Sequence, residues 1–470
     1  MDCFAQSVVR RLALGQAWWM LLRFVIDGAL LNQVFEQHRG RAYEKVLDFP
    51  TLVRLMADAL LEHDGSGRQA LERSKEDERL AVSVQAVYGK LRRMPLAVSE
   101  GWLHEATQRL SALWPTELSS PVPASLRALK VMIVDGKKIK HVAKRLKPAR
   151  GVSGAALGGK VLVALSAHRG LAVAMHAHRD GETNDAPLLA GLLAQVREQT
   201  AGPILWVLDR QFCDLTQPPK LAKQGDAFLI RYHPKVHFEL DLQAKTRHGT
   251  DAAGRTYRED FGHLGTPRGK TQRPYVRRIT LLRPDHEEGD LVLITKLLDA
   301  DVYPAADLLQ MYHQRWSIEN VFQQITTVFT LNRLIGSSLE ATIFQCALCL
   351  LLYNIVRVLC AHVAAIQDQP LKQVSSQQVF YDTRRQLISM TTLLNREQLI
   401  QSVPTFADAS SLCQALRQLL SDTWTDRWRE TPTTRRSPPK HKQTIEGGHT
   451  SIQRLIDAEH KARAGHHAHK

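Results

Sequence analysis

The chain has 470 residues, 44% hydrophobic and 23% charged, which is long enough for two or three domains around a sizeable core and too apolar for an unstructured segment. Its charge is one-sided: 62 Lys and Arg against 47 Asp and Glu give +15, which points to a polyanionic partner, most often nucleic acid, ahead of a membrane surface. Six cysteines in this length exclude a disulfide framework, and the apolar run "ALGQAWWMLLRFVIDGALL" near the start carries Arg23 and Asp27 and no small-residue cleavage site, so no secretory leader and a cytoplasmic location are expected.

Residues 1–125 read as helical. "FPTLVRLMADALLEH" has apolar residues at helical spacing, and "SVQAVYGKLRRMPLAVSEGWLHEA" predicts two short helices broken near Pro95, the first carrying Lys90, Arg92 and Arg93. This region is either a small DNA-binding module or a generic helical bundle. "SSPVPAS" then reads as a linker. Short β-rich runs follow: "LKVMIVDG", ending in Asp135-Gly136, then "KVLVALSAHRG" and "LAVAMHAHR" joined at Arg169-Gly170. "TNDAPLLAGLLAQVREQ" predicts a helix capped by Asn184 or Asp185, and "PILWVLD" a buried strand ending in Asp209. The order is β-β-β-α-β over 126–225, with an Asp closing the first and the last strand.

Residues 226–300 alternate like strands, with Gly- and Pro-containing turns and no helical period. Helix returns near 304 and carries "MYHQRWSIENVF", where Tyr312, Arg315 and Glu319 fall within an arc of about 60°. A carboxylate among so many apolar neighbours needs its charge offset. Arg315 can do that as a structural partner, or Glu319 can bind metal with Arg315 beside it for phosphate. The apolar run containing Cys346 and Cys349 stops at Arg357, too soon to span a bilayer, and its C-x-x-C reads as core thiols. Residues 340–425 are again expected to be helical, with 301–365 completing the core begun at 126–225, 366–430 a helical C-terminal region and 431–470 a basic, mostly disordered tail. His176 and His178 share a strand face without a third ligand at zinc spacing, and Asp214 is a weaker rival to Asp209.

Acids at the ends of neighbouring strands, completed by a helical Glu, form a cluster that cannot stay ionised without a cation. Hard oxygen ligands suit Mg²⁺, with Mn²⁺ able to substitute. Two flanking segments fit a phosphate backbone: "GKKIKHVAKRLKPAR", with Lys137, Lys138 and Lys140, has seven Lys or Arg and no acid, and "TPRGKTQRPYVRRIT", with Arg277 and Arg278, has five and none.

Asp135, Asp209 and Glu319, with Tyr312 and Arg315 ahead of the Glu, resemble the DDE transposases of bacterial insertion sequences. The nearest pattern is the Tyr-x₂-Arg-x₃-Glu-x₆-Lys signature of the insertion-sequence-four family, over about 130–360. The resemblance implies an α/β ribonuclease-H-like core with an inserted β-rich domain at 226–300, plus helical N-terminal and C-terminal regions. It implies three metal-binding carboxylates holding two Mg²⁺ ions, with Tyr312 and Arg315 on phosphates. The substrate would be double-stranded DNA: the terminal inverted repeats of the element and its target. Two protomers would pair the two ends. The chemistry implied is hydrolysis at the element's end, then attack of the freed 3′-hydroxyl on another phosphodiester. The signature's final Lys is replaced by Thr326, for which Arg333 would substitute if the helix continued. Tyr257, Phe261 and Tyr275 are the aromatic candidates for stacking a flipped base. The alternatives are a non-catalytic DNA-binding protein derived from a transposase and a metal-dependent nuclease that cuts without joining.

Overall fold

The computed structural model describes residues 3–63, 65–78, 80–140, 149–222, 225–267, 273–283, 289–333, 335–336, 338–430 and 448–468. Its centre is a mixed α/β arrangement with helices packed around one large sheet. The strands in chain order are β1 (Lys130–Lys138), a short β2 (Ala155–Leu157), β3 (Lys160–Ser166), β4 (Leu171–His178), β5 (Ile204–Leu208) and β6 (Ala227–Arg231), then β7 (Phe238–Leu240), β8 (Arg247–Thr250), β9 (Thr256–Leu264), β10 (Tyr275–Leu281), β11 (Leu291–Thr295) and the late β12 (His449–Ser451).

Among the described residues the large sheet runs β4-β3-β1-β5-β6-β11-β10-β9-β7, with β8 beside β9. β3 is antiparallel to β1 and to β4, while β5 is parallel to both β1 and β6. The parallel crossover from β4 to β5 passes through the helix Leu189–Gln199, whose Leu189, Leu192 and Val196 face the sheet. β3 is buried at every position and β5 likewise, so both faces of the centre are covered and the sequence there is continuously apolar. The strand-like region 226–300 is indeed strands, and they are hydrogen-bonded into this same sheet through the β6–β11 pair.

On one face lies the helix Leu339–Ile366, twenty-eight residues long. By length and composition it could cross a membrane, yet 94% of its most apolar window is buried in the protein. Such a helix is apolar all round because neighbours surround it. The helix Leu96–Ser111 packs along it and against β4, and Trp102 stacks on Phe344 with ring centroids 5.4 Å apart. The N-terminal helices, including Phe49–Leu61 and Val84–Arg92, share this core, with Phe49 edge-on to both Trp102 and Phe344. The chain breaks at Pro95, as the sequence predicts, and Pro95 stands at the N-cap of Leu96–Ser111.

Three expectations change. The "SSPVPAS" segment does not hang free: Val122 and Leu126 are buried, and Ser125 donates to Asp307 at 2.6 Å. Residues 431–447 lie outside the described residues, but the rest of the expected disordered tail is β12, paired in parallel with β2, followed by the helix Ile452–Ala468. Ile452 is buried there against Ala156 and Leu339, and Arg454 is ion-paired to Asp180 and Glu182. Lastly, β1 does not end at Asp135 but runs to Lys138, because its antiparallel partner β3 keeps pairing as far as Lys160.

Candidate functional site

The register of two strands places the first two acids. β1 and β5 run parallel, and their last paired residues are Ile133 and Val207. Side chains alternate along a strand, so Asp135 and Asp209, each two residues further on, return to the face of Ile133 and Val207 on strands about 4.8 Å apart. That face carries the main core, while Met132, Val134, Trp206 and Leu208 point to the other. The partly buried position of both acids disfavours their charge. Burial pushes Asp135 up to about 6, with Asp209 and Asp185 adding to the rise against the pull of Arg315. Burial also raises Asp209, although its Oδ1 accepts the Gln211 N–H at 2.8 Å.

The third acid arrives on a helix with a break in front of it. The sequence predicts one continuous helix through the motif. Instead Ala305–His313 ends, Gln314–Trp316 forms a tighter 3-10 turn, and Ser317–Thr327 begins and packs against β1. Tyr312 therefore sits at the end of one helix and Glu319 in the first turn of the next. Arg315, in the turn between them, is only 7% exposed. Its guanidinium lies 3.1 Å from Glu319 Oε1 and 3.5 Å from Asp135 Oδ2. Its Nε has no hydrogen-bond partner among the described residues. The guanidinium carbon is 5.9 Å from the ring centre of Tyr312, whose hydroxyl is pushed up to about 12 by burial. Arg315 is thus the ionic partner of Glu319, and it pairs with Asp135 of β1 as well.

These residues fit a hard divalent cation in chemistry, being carboxylate oxygens. As placed, Arg315 lies between two of them, and among the described residues no three His, Cys, Asp or Glu side chains are grouped as a metal site.

The basic candidates divide. Lys138 and Lys140 are exposed, and Lys137 is half-buried with its Nζ 5.6 Å from the Phe322 ring centre. Residues 141–148 of that segment, and 268–272 of the second, lie outside the described residues. The described arginines of the second segment do not face solvent as expected. Arg277 is wholly buried, donating from Nε to Glu259 at 2.6 Å and from Nη1 to the Tyr303 carbonyl at 2.7 Å. Arg278 pairs with Asp260 at 2.8 Å and lies over the Phe238 ring, and Arg273 pairs with Glu239. The segment contains no acid, but the neighbouring strands β7 and β9 supply three, which pair with Arg273, Arg277 and Arg278.

Other expectations shift for local reasons. The helix after Glu319 stops at Thr327, and Thr330 takes a left-handed φ of 57°, so Arg333 is not on the face of Glu319. Thr326 turns its hydroxyl back to the Phe322 carbonyl at 2.6 Å. His176 Nδ1 lies 3.4 Å from Glu100 Oε1, away from His178, which is exposed. Asp214 caps the turn ahead of Gln217–Leu221 by accepting from Thr216 and Gln217, and Cys346 and Cys349 are fully buried free thiols, the first pushed up to about 12. Tyr275 donates to Asp241 at 2.8 Å. Asp185, expected as one of two helix caps, makes no cap bond with its side chain and is ion-paired to Lys160 at 2.5 Å instead.

Against known proteins, residues 127–355 match the family model described as transposase DDE domain. The chain is 25% identical over 164 residues to the putative transposase for insertion sequence element IS4SA of Synechocystis sp. (strain ATCC 27184 / PCC 6803 / Kazusa). That match covers 34% of this chain and 43% of the relative, so it spans less than half of the relative's length. Among solved structures, the cryo-EM structure of piggyBac transposase synaptic complex with hairpin DNA aligns over 91% of this chain and 87% of its own, at 10% identity and a TM-score of 0.38.

Proposed function

We propose, for a chain whose residues 127–355 belong to the transposase DDE domain family, that it cuts DNA at the ends of an insertion sequence and joins the freed 3′-hydroxyl to target DNA. One observation carries this reading: Arg315 gathers Asp135 from within β1 and Glu319 from a helix, with Asp209 just beyond the end of the adjoining strand. The strand order β4-β3-β1-β5-β6, antiparallel then parallel, supports a ribonuclease-H-like core, and β7 to β10 supply the inserted β-rich part.

Asp135, Asp209 and Glu319 would hold Mg²⁺, or Mn²⁺ in its place. When bound, such ions stabilise the attacking and leaving oxygens of a phosphodiester. The protein's own residues do the rest. Arg315 has an unpartnered Nε and a planar donor fork suited to a phosphate. Tyr312, whose hydroxyl stays protonated to high pH, can donate a hydrogen bond beside it. Lys138 and Lys140, with Lys137 nearer the site, neutralise backbone phosphates without reading sequence. The partner would be double-stranded DNA, the assembly a homodimer pairing two ends, and the setting the bacterial cytoplasm. Arg277 drops out as a DNA contact in this reading because it has no surface to offer.

The test is plasmid excision in cells with the element's own ends, wild type beside Glu319→Gln. Excision by wild type, and a fall of several orders of magnitude in the variant, would establish the chemistry and its third acid. Thr326 favours one rival, a DNA-binding protein without catalysis, since its hydroxyl is committed to the helix backbone and brings no charge. End binding by both proteins with excision by neither would select that rival.

A further inference from the structure

The C-terminal end, expected as a solvated basic tail, is fastened to the core at one place. β12 pairs in parallel with β2, and among the described residues these two strands form a sheet of their own. Ser451 is wholly buried, and its Oγ accepts the Gly181 N–H at 3.2 Å. Ile452, equally buried, closes a small cluster with Ala156 and Leu339, apart from the main core. Arg454 is held by Asp180 at 2.8 Å and by Glu182 at 2.5 Å. Ordering a chain end costs conformational entropy. The contacts that offset it fall on β2, on the turn after β4 and on the start of Leu339–Ile366.

β2 leads straight to the anchor of two exposed lysines. The Gly158 N–H donates to the Ile139 carbonyl at 2.8 Å, and the Ile139 N–H donates to the Gly159 carbonyl at 3.0 Å. Ile139 is 1% exposed, while Lys138 and Lys140 on either side of it are exposed. Alternation along an extended backbone sends both lysines away from the buried isoleucine. Gly158 is also held from another side, where its carbonyl accepts from Thr342 at 2.5 Å. β12 supplies the strand partner of the three residues just before it. The pinning of Ile139 therefore depends on a segment more than 300 positions away in the chain.

We propose that the C-terminal segment 448–468 is a positioning element for DNA: by pairing with β2 it fixes Ile139 and so presents Lys138 and Lys140 to a phosphate backbone. This rests on the DNA reading above. The test is duplex affinity against salt, by fluorescence anisotropy on the full-length protein, with folding checked by circular dichroism. Lys138→Ala combined with Lys140→Ala tests the DNA reading by itself and should flatten the logarithmic salt slope by about 2. Ile452→Asp, which puts a charge into the small cluster, should flatten it by about as much. Adding the two lysine substitutions to Ile452→Asp should then change nothing further, because groups that act as a unit do not add. Arg454→Glu sets like charges against Asp180 and Glu182 on the surface; it is the second probe should Ile452→Asp fail to fold, and adding Glu182→Arg to it should steepen the slope again. A wild-type slope in either folded variant would overturn the proposal and leave the segment a stabilising end. Losses that add to those of the lysine pair would overturn it as well, by showing that the segment touches DNA itself. A wild-type slope in the lysine pair variant would place the DNA elsewhere and overturn this inference with that reading.

Discussion

Asp135 concentrates the conflict between folding and function in one side chain. The folded protein holds its proton up to about pH 6, whereas its ordinary value is 3.8. The native state thus binds a proton that the unfolded chain has released, so stability contributed by this group falls as pH rises from about 4 to about 6. Asp135→Asn removes that penalty. In buffer free of divalent cations the variant should unfold at a higher temperature than wild type at pH 8, by an amount on the order of 1–3 kcal/mol, and lose the advantage at pH 3.5. Thermal melts at the two pH values check this. Adding Mn²⁺ should raise the wild-type melting temperature and leave the variant's unchanged, because a ligand stabilises only the state that binds it. Asp135 and Asp209 were legible in sequence as candidates, from their positions after apolar strand-like runs. Their charge state was not, since it depends on burial and on Asp185, which is distant in sequence.

At the scale of elements, the helix Leu339–Ile366 joins Leu96–Ser111 in tying the sheet to the N-terminal helices. Its Asn354 is fully buried and clasps the backbone of β4, accepting the Ala172 N–H and donating to the Ala172 carbonyl, both at 2.9 Å. It also donates to Thr107 of Leu96–Ser111 at 2.8 Å. Asn354→Ala would strand these groups in an apolar core, at about 1–3 kcal/mol for each one left unpaired. A fall in urea midpoint equivalent to several kcal/mol is expected. An effect under 1 kcal/mol would mean that water or a shifted neighbour replaces the clasp. The apolar run of this helix was readable in sequence, but its length and its Asn were not explained by it. The 3-10 turn Gln314–Trp316 was equally hidden, because Tyr312, Arg315 and Glu319 suit an unbroken helix by spacing alone.

For the whole molecule, the net +15 does not say where the excess positive charge lies. Arg273, Arg277 and Arg278 are spent on acids of β7 and β9, while Lys138 and Lys140 remain exposed. Affinity for duplex DNA should fall linearly with salt on logarithmic axes, by about 0.9 per phosphate contacted. Lys138→Ala and Lys140→Ala should each flatten that slope by about 1 and weaken binding to every sequence alike. Fluorescence anisotropy with end and scrambled duplexes measures both. An unchanged slope would place the DNA on another face.

What the sequence determined by itself was local: the strands that carry Asp135 and lead to Asp209, the basic run after Asp135, the break at Pro95 and the apolar core helix. Each depends on residues near one another in the chain, where period, capping and turn chemistry act. What only the tertiary structure decided was pairing across distance. β9 beside β10 gives Arg277 and Arg278, expected on phosphates, acid partners at Glu259 and Asp260. β3 beside β1 brings Lys160 to Asp185 behind Gly136. The helix Ser317–Thr327 packed on β1 lets one arginine serve acids 184 positions apart at their extremes, Asp135 and Glu319. Charge and burial are properties of neighbours in space, and a linear chain states which groups exist without stating which of them meet.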